Sequence, residues 1–205
     1  MNNDHKKKII LHTATKHFAK SGFDGARVDE IAAEAGVNKA TLYYRIGNKE
    51  AIYEEIFVEL IGGVLTEIEE KMVKEDTPEQ QLIIFTNVFA KSLEDNVYIS
   101  PLILREIASG GSHMNDQAIE KMHKIRSVLT GILKRGEENN SFHPSNPFLI
   151  HMLLIGTLNF YSASASIRNK MSQSVEKDKV NFVLPITDVA NEIVTLVLNS
   201  IRTNN

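Results

Sequence analysis

The sequence predicts an all-α chain of about nine helices, and three observations carry that prediction. Apolar residues recur at spacing four, as in Ile10, Ala14 and Phe18 and again in Ile52, Ile56 and Leu60, so each set lines one face of a helix. No stretch sustains period-two alternation between turn residues, which leaves no convincing strand. Helix starts and stops are legible in the local chemistry of Ser, Thr, Asn, Pro and Gly.

The elements follow in order. Four helices fall within residues 4–74, with stops at Ser21-Gly22, Gly36 and Gly47. Thr77-Pro78-Glu79-Gln80 places a Thr cap before a Pro at the first helical position and a Gln three residues after the cap, so a helix over 78–95 opens with a capping box. Ser100-Pro101 repeats the cap-then-Pro pattern for 100–109, which ends at Gly110-Gly111. A helix over 114–139 ends at Asn139-Asn140, and Asn146-Pro147 opens one over 147–172. Residues 173–186 are polar and read as a mobile connection, after which Thr187-Asp188 opens a last helix over 187–202.

Composition narrows the function classes. The chain has 205 residues, 42% hydrophobic and 24% charged, ordinary values for a folded globule of one or two domains. It has no cysteine, which removes disulfides, zinc-thiolate sites, iron–sulfur clusters and cysteine nucleophiles together. No apolar run approaches the roughly 18–20 residues that span a bilayer. After the basic start, only Ile9-Ile10-Leu11 precedes His12, too short an apolar core for a secretory signal. The expectation is a cytoplasmic protein with no membrane partner. The net charge of −3 conceals an asymmetry: residues 1–50 hold nine Lys/Arg against six Asp/Glu, while the remainder holds 14 against 20. A basic head on an acidic body points to a polyanion partner for the head alone.

Residues 26–46 carry the functional signal. Ile31, Ala32 and Ala35 give a short helix a small apolar face, Gly36 turns the chain, Val37 plugs the turn, and Leu42 anchors a second helix capped by Asn38. Small residues at the crossing let two helices meet steeply, the requirement of a helix-turn-helix. The outer face of the second helix then holds Lys39, Ala40, Thr41, Tyr43, Tyr44 and Arg45. Lys and Arg suit phosphates or guanine edges, Thr and Tyr hydroxyls suit phosphates, and Ala or a Thr methyl suits the thymine methyl. Adjacent tyrosines on a basic helix with no apolar role point to double-stranded DNA.

The run Ile31-Ala32-Ala33-Glu34-Ala35-Gly36-Val37-Asn38-Lys39-Ala40-Thr41-Leu42-Tyr43-Tyr44-Arg45-Ile46, followed by Asn48-Lys49-Glu50, resembles the N-terminal domain of tetracycline-repressor (TetR) family regulators. So does the preceding Phe18-Ala19-Lys20-Ser21-Gly22-Phe23-Asp24-Gly25, and the likeness is continuous over about residues 8–60. The resemblance implies a three-helix helix-turn-helix DNA-binding domain over 1–50, then a helical ligand-binding and dimerisation domain over 51–205. It places Lys39, Thr41, Tyr43 and Tyr44 on the recognition helix, Tyr43 against a phosphate, and Lys49 at the start of the fourth helix, where a cation and a helix N-terminus together favour phosphate. The family's usual Thr opening the second helix is here Arg27, which can reach a phosphate but cannot cap in the same way. The usual Phe before the fourth helix is Ile46, a conservative core change. Lys6, Lys7 and Lys8 read either as a basic arm or as a frayed terminus.

Two further expectations follow for the body. Val189, Ile193, Val194, Leu196, Val197, Leu198 and Ile201, with Leu153, Leu154, Leu158 and Tyr161 and the small residues Gly156, Ala163 and Ala165, give the last two helices enough apolar surface for a homodimeric four-helix interface. Phe85, Phe89, Leu93, Leu102, Met122, Ile155 and Phe160 are apolar candidates for an effector pocket, with Arg105, Glu106, His123, His151 and Asn159 as polar anchors. Enzyme readings find little. Glu120 and His123 form one Glu-x-x-His, where a di-iron bundle needs two, and the seven histidines show no metal-ligand spacing. No metal or cofactor is expected. The sequence therefore reads as a ligand-responsive, sequence-specific transcriptional repressor acting on a palindromic operator. The alternative is a helical small-molecule-binding or enzymatic bundle whose helix-turn-helix no longer serves DNA.

Overall fold

The computed structural model describes residues 3–72, 77–174 and 183–203. Among the described residues ten helices follow one another: α1 (Asn3–Gly25), α2 (Val28–Glu34), α3 (Lys39–Arg45), α4 (Lys49–Lys71), α5 (Pro78–Asp95), α6 (Ile99–Ala108), α7 (Asp116–Glu138), α8 (Pro147–Ala163), α9 (Ala165–Ser174) and α10 (Ile186–Ile201). Among the described residues the only β pairing is an isolated bridge between Phe142 and Arg202. The all-α expectation holds, with ten helices where nine are predicted. The helix expected over 147–172 is broken at Ser164, where α8 and α9 meet at a bend of 62°. No single helix among the described residues is long and apolar enough to cross a membrane.

The caps separate sound from unsound readings of the sequence. Thr77 forms the full capping box with Gln80, and Asn38 and Asn146 accept from the backbone N–H of Thr41 and Phe148. Arg27 occupies the N-cap of α2 without a side-chain cap bond, as its chemistry requires. Two expected starts are displaced. α6 begins at Ile99, so Ser100 lies inside the helix and fully buried, and α10 begins at Ile186 behind Pro185 rather than at Thr187. In both cases one half-buried isoleucine just ahead of the expected cap, Ile99 or Ile186, is taken into the helix. Of the connection expected over 173–186, residues 175–182 lie outside the described residues. Gly22 adopts φ 73°, a non-helical conformation that kinks α1 where Ser21-Gly22 predicts a stop.

Two compact units emerge. The first comprises the chain up to Gly63 together with Tyr98–Lys121, and the second Val64–Val97 together with the chain from Met122. In the first, Ile10, Ala14 and Phe18 of α1 pack with Ile31 of α2, Leu42 of α3 and Ile52 and Ile56 of α4 in a fully buried core. Phe18, Phe23, Tyr53 and Phe57 add edge-on and stacked ring contacts with centroids 4.8–6.0 Å apart. Lys7 is neither an arm nor frayed. It lies in α1, and its ammonium is 2.6 Å from the Glu55 carboxylate, whose hydrogen bond raises its pKa.

In the second unit α5 packs closely on α10, and α8 lies against both. Val194, Val197, Leu198 and Ile201 of α10 and Leu154 and Leu158 of α8 are buried within the chain. The residue-level reading of a dimer surface is corrected accordingly, because most of the apolar residues assigned to it form the protomer's own core. On these last three helices the large apolar side chains left exposed are Phe148, Leu149, Met152, Leu153 and Phe160 on α8, Ile167 and Met171 on α9, and Leu196 on α10.

Candidate nucleic-acid interface

The turn between α2 and α3 is built by local rules. Gly36 takes φ 67°, and the N–H groups of Gly36 and Val37 donate to the carbonyls of Ala33 and Ala32, closing the end of α2. Asn38 caps α3, and Leu42 is fully buried as its anchor. One side of α3 is thereby pinned and the other left open. Tyr44 is 90% exposed and Tyr43 42%, and Lys39 and Ala40 are exposed beside them, with Thr41 and Arg45 half-buried. A phenol ring almost wholly in water contributes little to folding, so the position is free to serve recognition.

Lys49 stands at the opening of α4, where Asn48 caps the helix by accepting from the N–H of Ala51 at 3.0 Å. Its ammonium donates to the carbonyl of Asp24 at 3.1 Å and lies 4.9 Å from the centre of the Phe23 ring. Phe23 is itself stacked on His113, centroids 4.1 Å apart, and set edge-on to Tyr53. Behind that ring pair lies Glu106, only 2% exposed, which accepts from the Tyr53 hydroxyl at 3.0 Å and from the His113 backbone N–H at 2.7 Å. Burial, and then the hydrogen bond to Glu106, push the Tyr53 phenol far above its ordinary pKa, so it remains a donor. Sequence reasoning missed this brace, because nothing local links Phe23 with His113.

Lys39, at the start of α3, has its ammonium 2.9 Å from a carboxylate oxygen of Asp29 and 5.8 Å from the Tyr43 ring centre. The bond to Asp29 raises its pKa. Arg27, exposed at the head of α2, lies 3.9 Å from Glu30.

The residues expected to line an effector pocket divide between the units. Leu102, Arg105 and Glu106 belong to the first. Leu102 is fully buried, Arg105 donates from Nε and Nη2 to the carbonyls of Ala19 and Lys20, and Glu106 is engaged as described. Phe85, Phe89, His123, His151, Ile155 and Asn159 belong to the second. There Phe85 is buried with its ring 5.2 Å from Phe89, and Ile155 is buried on α8. His123 is exposed, and its Nδ1 accepts from Arg126 at 2.8 Å. Phe160, at 69% exposure, and Met122 face out of the fold rather than into a pocket.

α8 widens into a π turn over Met152–Gly156, between His151 and Asn159. Asn159 Nδ2 donates to the Ile155 carbonyl, which fixes its Oδ1 as an acceptor; that oxygen and His151 Nδ1 are buried without a hydrogen-bond partner. Burial, aided by the charge of Arg126, holds the His151 imidazole below its usual pKa. Among the described residues no group of three or more acidic or histidine side chains could hold a metal ion.

Comparison with known proteins accords with this geometry. Residues 10–56 match the family model of bacterial regulatory proteins, tetR family. The chain is 27% identical over 156 residues to the HTH-type transcriptional regulator YhgD of Bacillus subtilis, covering 73% of this chain and 78% of that one. It is 23% identical over 190 residues to the HTH-type transcriptional regulator RutR of Escherichia coli, covering 92% and 89%. The crystal structure of the regulator FadR from Bacillus subtilis, in complex with stearoyl-CoA, superposes with a TM-score of 0.75 over 95% of this chain and 99% of that one, at 19% identity. The named relatives are transcription regulators, and the stretch of this chain that matches the tetR-family model, residues 10–56, is the stretch that holds the helix-turn-helix.

Proposed function

We propose that this regulator is a cytoplasmic homodimeric repressor that binds a palindromic operator through paired α3 helices and is released by a small-molecule effector. The observation that carries the reading is the outer face of α3, where Tyr43, Tyr44 and Lys39 stand in solvent beside Lys49 at the head of α4. Arg27, Ala40, Thr41 and Arg45 complete the surface offered to the duplex. Tyr43, Lys49 and Arg27 serve backbone phosphates, and Thr41, Ala40 and Tyr44 are placed for base edges. This reading keeps residues 1–50 as the DNA-binding domain and 51–205 as the sensing and pairing domain.

A palindromic operator needs two heads related by two-fold symmetry. The apolar side chains exposed on α8 and α9, with Leu196 of α10, form the surface that a second copy would cover. The effector site centres on the inner face of α8, where His151 Nδ1 and the Asn159 Oδ1 acceptor lack partners next to buried Ile155, in the unit that also holds Phe85 and Phe89. A ligand with an apolar body and a hydrogen-bond donor for Asn159 fits those groups. Release follows if the ligand prefers a conformer unsuited to the operator; equal affinity for both conformers would shift nothing.

The test is an anisotropy titration against duplex from upstream of the protein's own gene and against a scrambled duplex, with sedimentation to fix the mass. The reading requires a dimer that prefers the native duplex, and at least a tenfold loss of affinity in Tyr43→Ala and Lys49→Ala at unchanged melting temperature. Stearoyl-CoA, bound by the structural neighbour, is the first effector to add. A chain that binds neither duplex at low salt belongs instead to the helical-bundle alternative.

A further inference from the structure

Lys39 and Lys49, the two lysines placed on the proposed DNA-binding surface, are held by different partners. Lys49 donates a hydrogen bond to a neutral carbonyl, that of Asp24, and so keeps its full charge for a phosphate. Lys39 is bound to a full carboxylate, Asp29, at 2.9 Å. Both side chains of that pair are substantially solvent-exposed, so the pair lies on the open surface of the head. Asp29 sits in the first turn of α2, where an acidic side chain complements the helix N-terminus and where Asn or Ser would also be tolerated. A phosphate drawn to Lys39 meets that carboxylate first.

We infer that Asp29 tunes the overall DNA affinity of the recognition surface: it occupies Lys39 as an internal substitute for a DNA phosphate, so any duplex must displace it before gaining that contact. The inference rests on the DNA-binding reading above. The penalty falls on every duplex alike, because a backbone phosphate is the same in every sequence, whereas contacts to base edges are untouched. Asp29 therefore lowers affinity for operator and non-operator DNA by the same factor and leaves their ratio to the base-edge contacts. Glu30, its neighbour in the same turn, faces Arg27 at 3.9 Å rather than Lys39 and supplies a control of equal charge.

The experiment is a double-mutant cycle on the full-length protein, using a random-sequence fluorescent duplex over a range of salt. Asp29→Asn, and Asp29→Ser as a second neutral variant in case the first perturbs α2, should tighten binding about two- to fivefold at low salt, the range of an exposed ion pair. The slope of log K against log salt should steepen by about one, as one more phosphate is neutralised. Both changes should vanish in a Lys39→Gln background, and Glu30→Gln should not reproduce them. An equal gain in the Lys39→Gln background, or an equal gain from Glu30→Gln, would show a general field effect and overturn the inference while leaving the head a DNA reader. If the wild-type chain binds no duplex at all, the DNA-binding reading itself falls, and the inference with it.

Discussion

Glu106 is predicted from sequence to be an effector ligand, but its partners in the fold give it a different task, and replacing it separates the two. The carboxylate is 2% exposed and takes hydrogen bonds from the Tyr53 hydroxyl and the His113 N–H. Glu106→Ala leaves both donors in a buried space without an acceptor. A hydrogen bond to a charged acceptor contributes about 1.5–3 kcal/mol, so losing two costs about 3–5 kcal/mol once the chain relaxes. For a chain of this length each kcal/mol moves the melting temperature by about 2–4 °C, which puts the loss at about 6–20 °C by far-ultraviolet circular dichroism. Glu106→Gln keeps an acceptor oxygen and the side-chain volume, and the Tyr53 hydroxyl can turn to accept from the new amide, so its loss should be less than half as large. Tyr53→Phe removes one donor, and combined with Glu106→Ala it should cost less than the sum of the two single changes. A melting temperature for Glu106→Ala within 1–2 °C of wild type, or strict additivity with Tyr53→Phe, would refute this account. A Glu106→Gln protein that folds and binds DNA normally but ignores its effector would restore the ligand role.

Three other predictions follow from single contacts. Gly136 faces the ring of Phe142, and a Cβ there would run into it; Gly136→Ala should cost about 1–3 kcal/mol of overpacking, partly relieved by Phe142→Leu, as read by thermal melting. Burial holds the His151 pKa below its usual 6.5, so the unfolded chain takes up that proton at higher pH than the folded one. Stability is therefore full above about pH 6.5 and falls as the pH drops from there toward the folded value; His151→Gln should flatten that part of a denaturation–pH profile. Phe23 carries the Lys49 ammonium on its face, so Phe23→Leu should weaken duplex binding several-fold without changing the salt slope, because the charge remains and only its placement loosens.

The elements legible in the sequence are those whose signals are local. The spacing-four faces of Ile10, Ala14 and Phe18 and of Ile52 and Ile56 are the buried faces of α1 and α4, since each helix hides one stripe. The Thr77–Gln80 box and the Asn38 and Asn146 caps are set by a few consecutive residues. Ser100 and Thr187 misled because a cap residue is a permission to start, and a helix can take in the residue ahead of it, here Ile99 and Ile186. The break at Ser164 carries no Gly or Pro. Its surroundings are tertiary: Arg168 lies over the face of Tyr161 and bonds the Ser164 hydroxyl, and the Tyr161 hydroxyl bonds the backbone of Leu184.

The candidate site divides along the same line. A recognition face can be read from sequence because its helix is short, its anchor Leu42 is unambiguous, and whatever does not pack must face water. The partners that modulate it cannot be read that way. Asp29 and Lys39 lie on separate helices across a turn, and the brace behind Lys49 runs from Phe23 through His113 to Glu106, residues with no common period. A charge count therefore does not tell which cations of the head are held by carboxylates. In residues 1–50, which carry an excess of three basic residues, the fold sets Lys7 on Glu55, Lys16 on Glu34 and Lys39 on Asp29. What separates Lys49 from these three is its neutral partner. A phosphate competes there only with a carbonyl, and elsewhere with a carboxylate. The first contact of the head with a duplex should accordingly form at the N-terminus of α4, with the recognition helix engaging after its own ion pair yields.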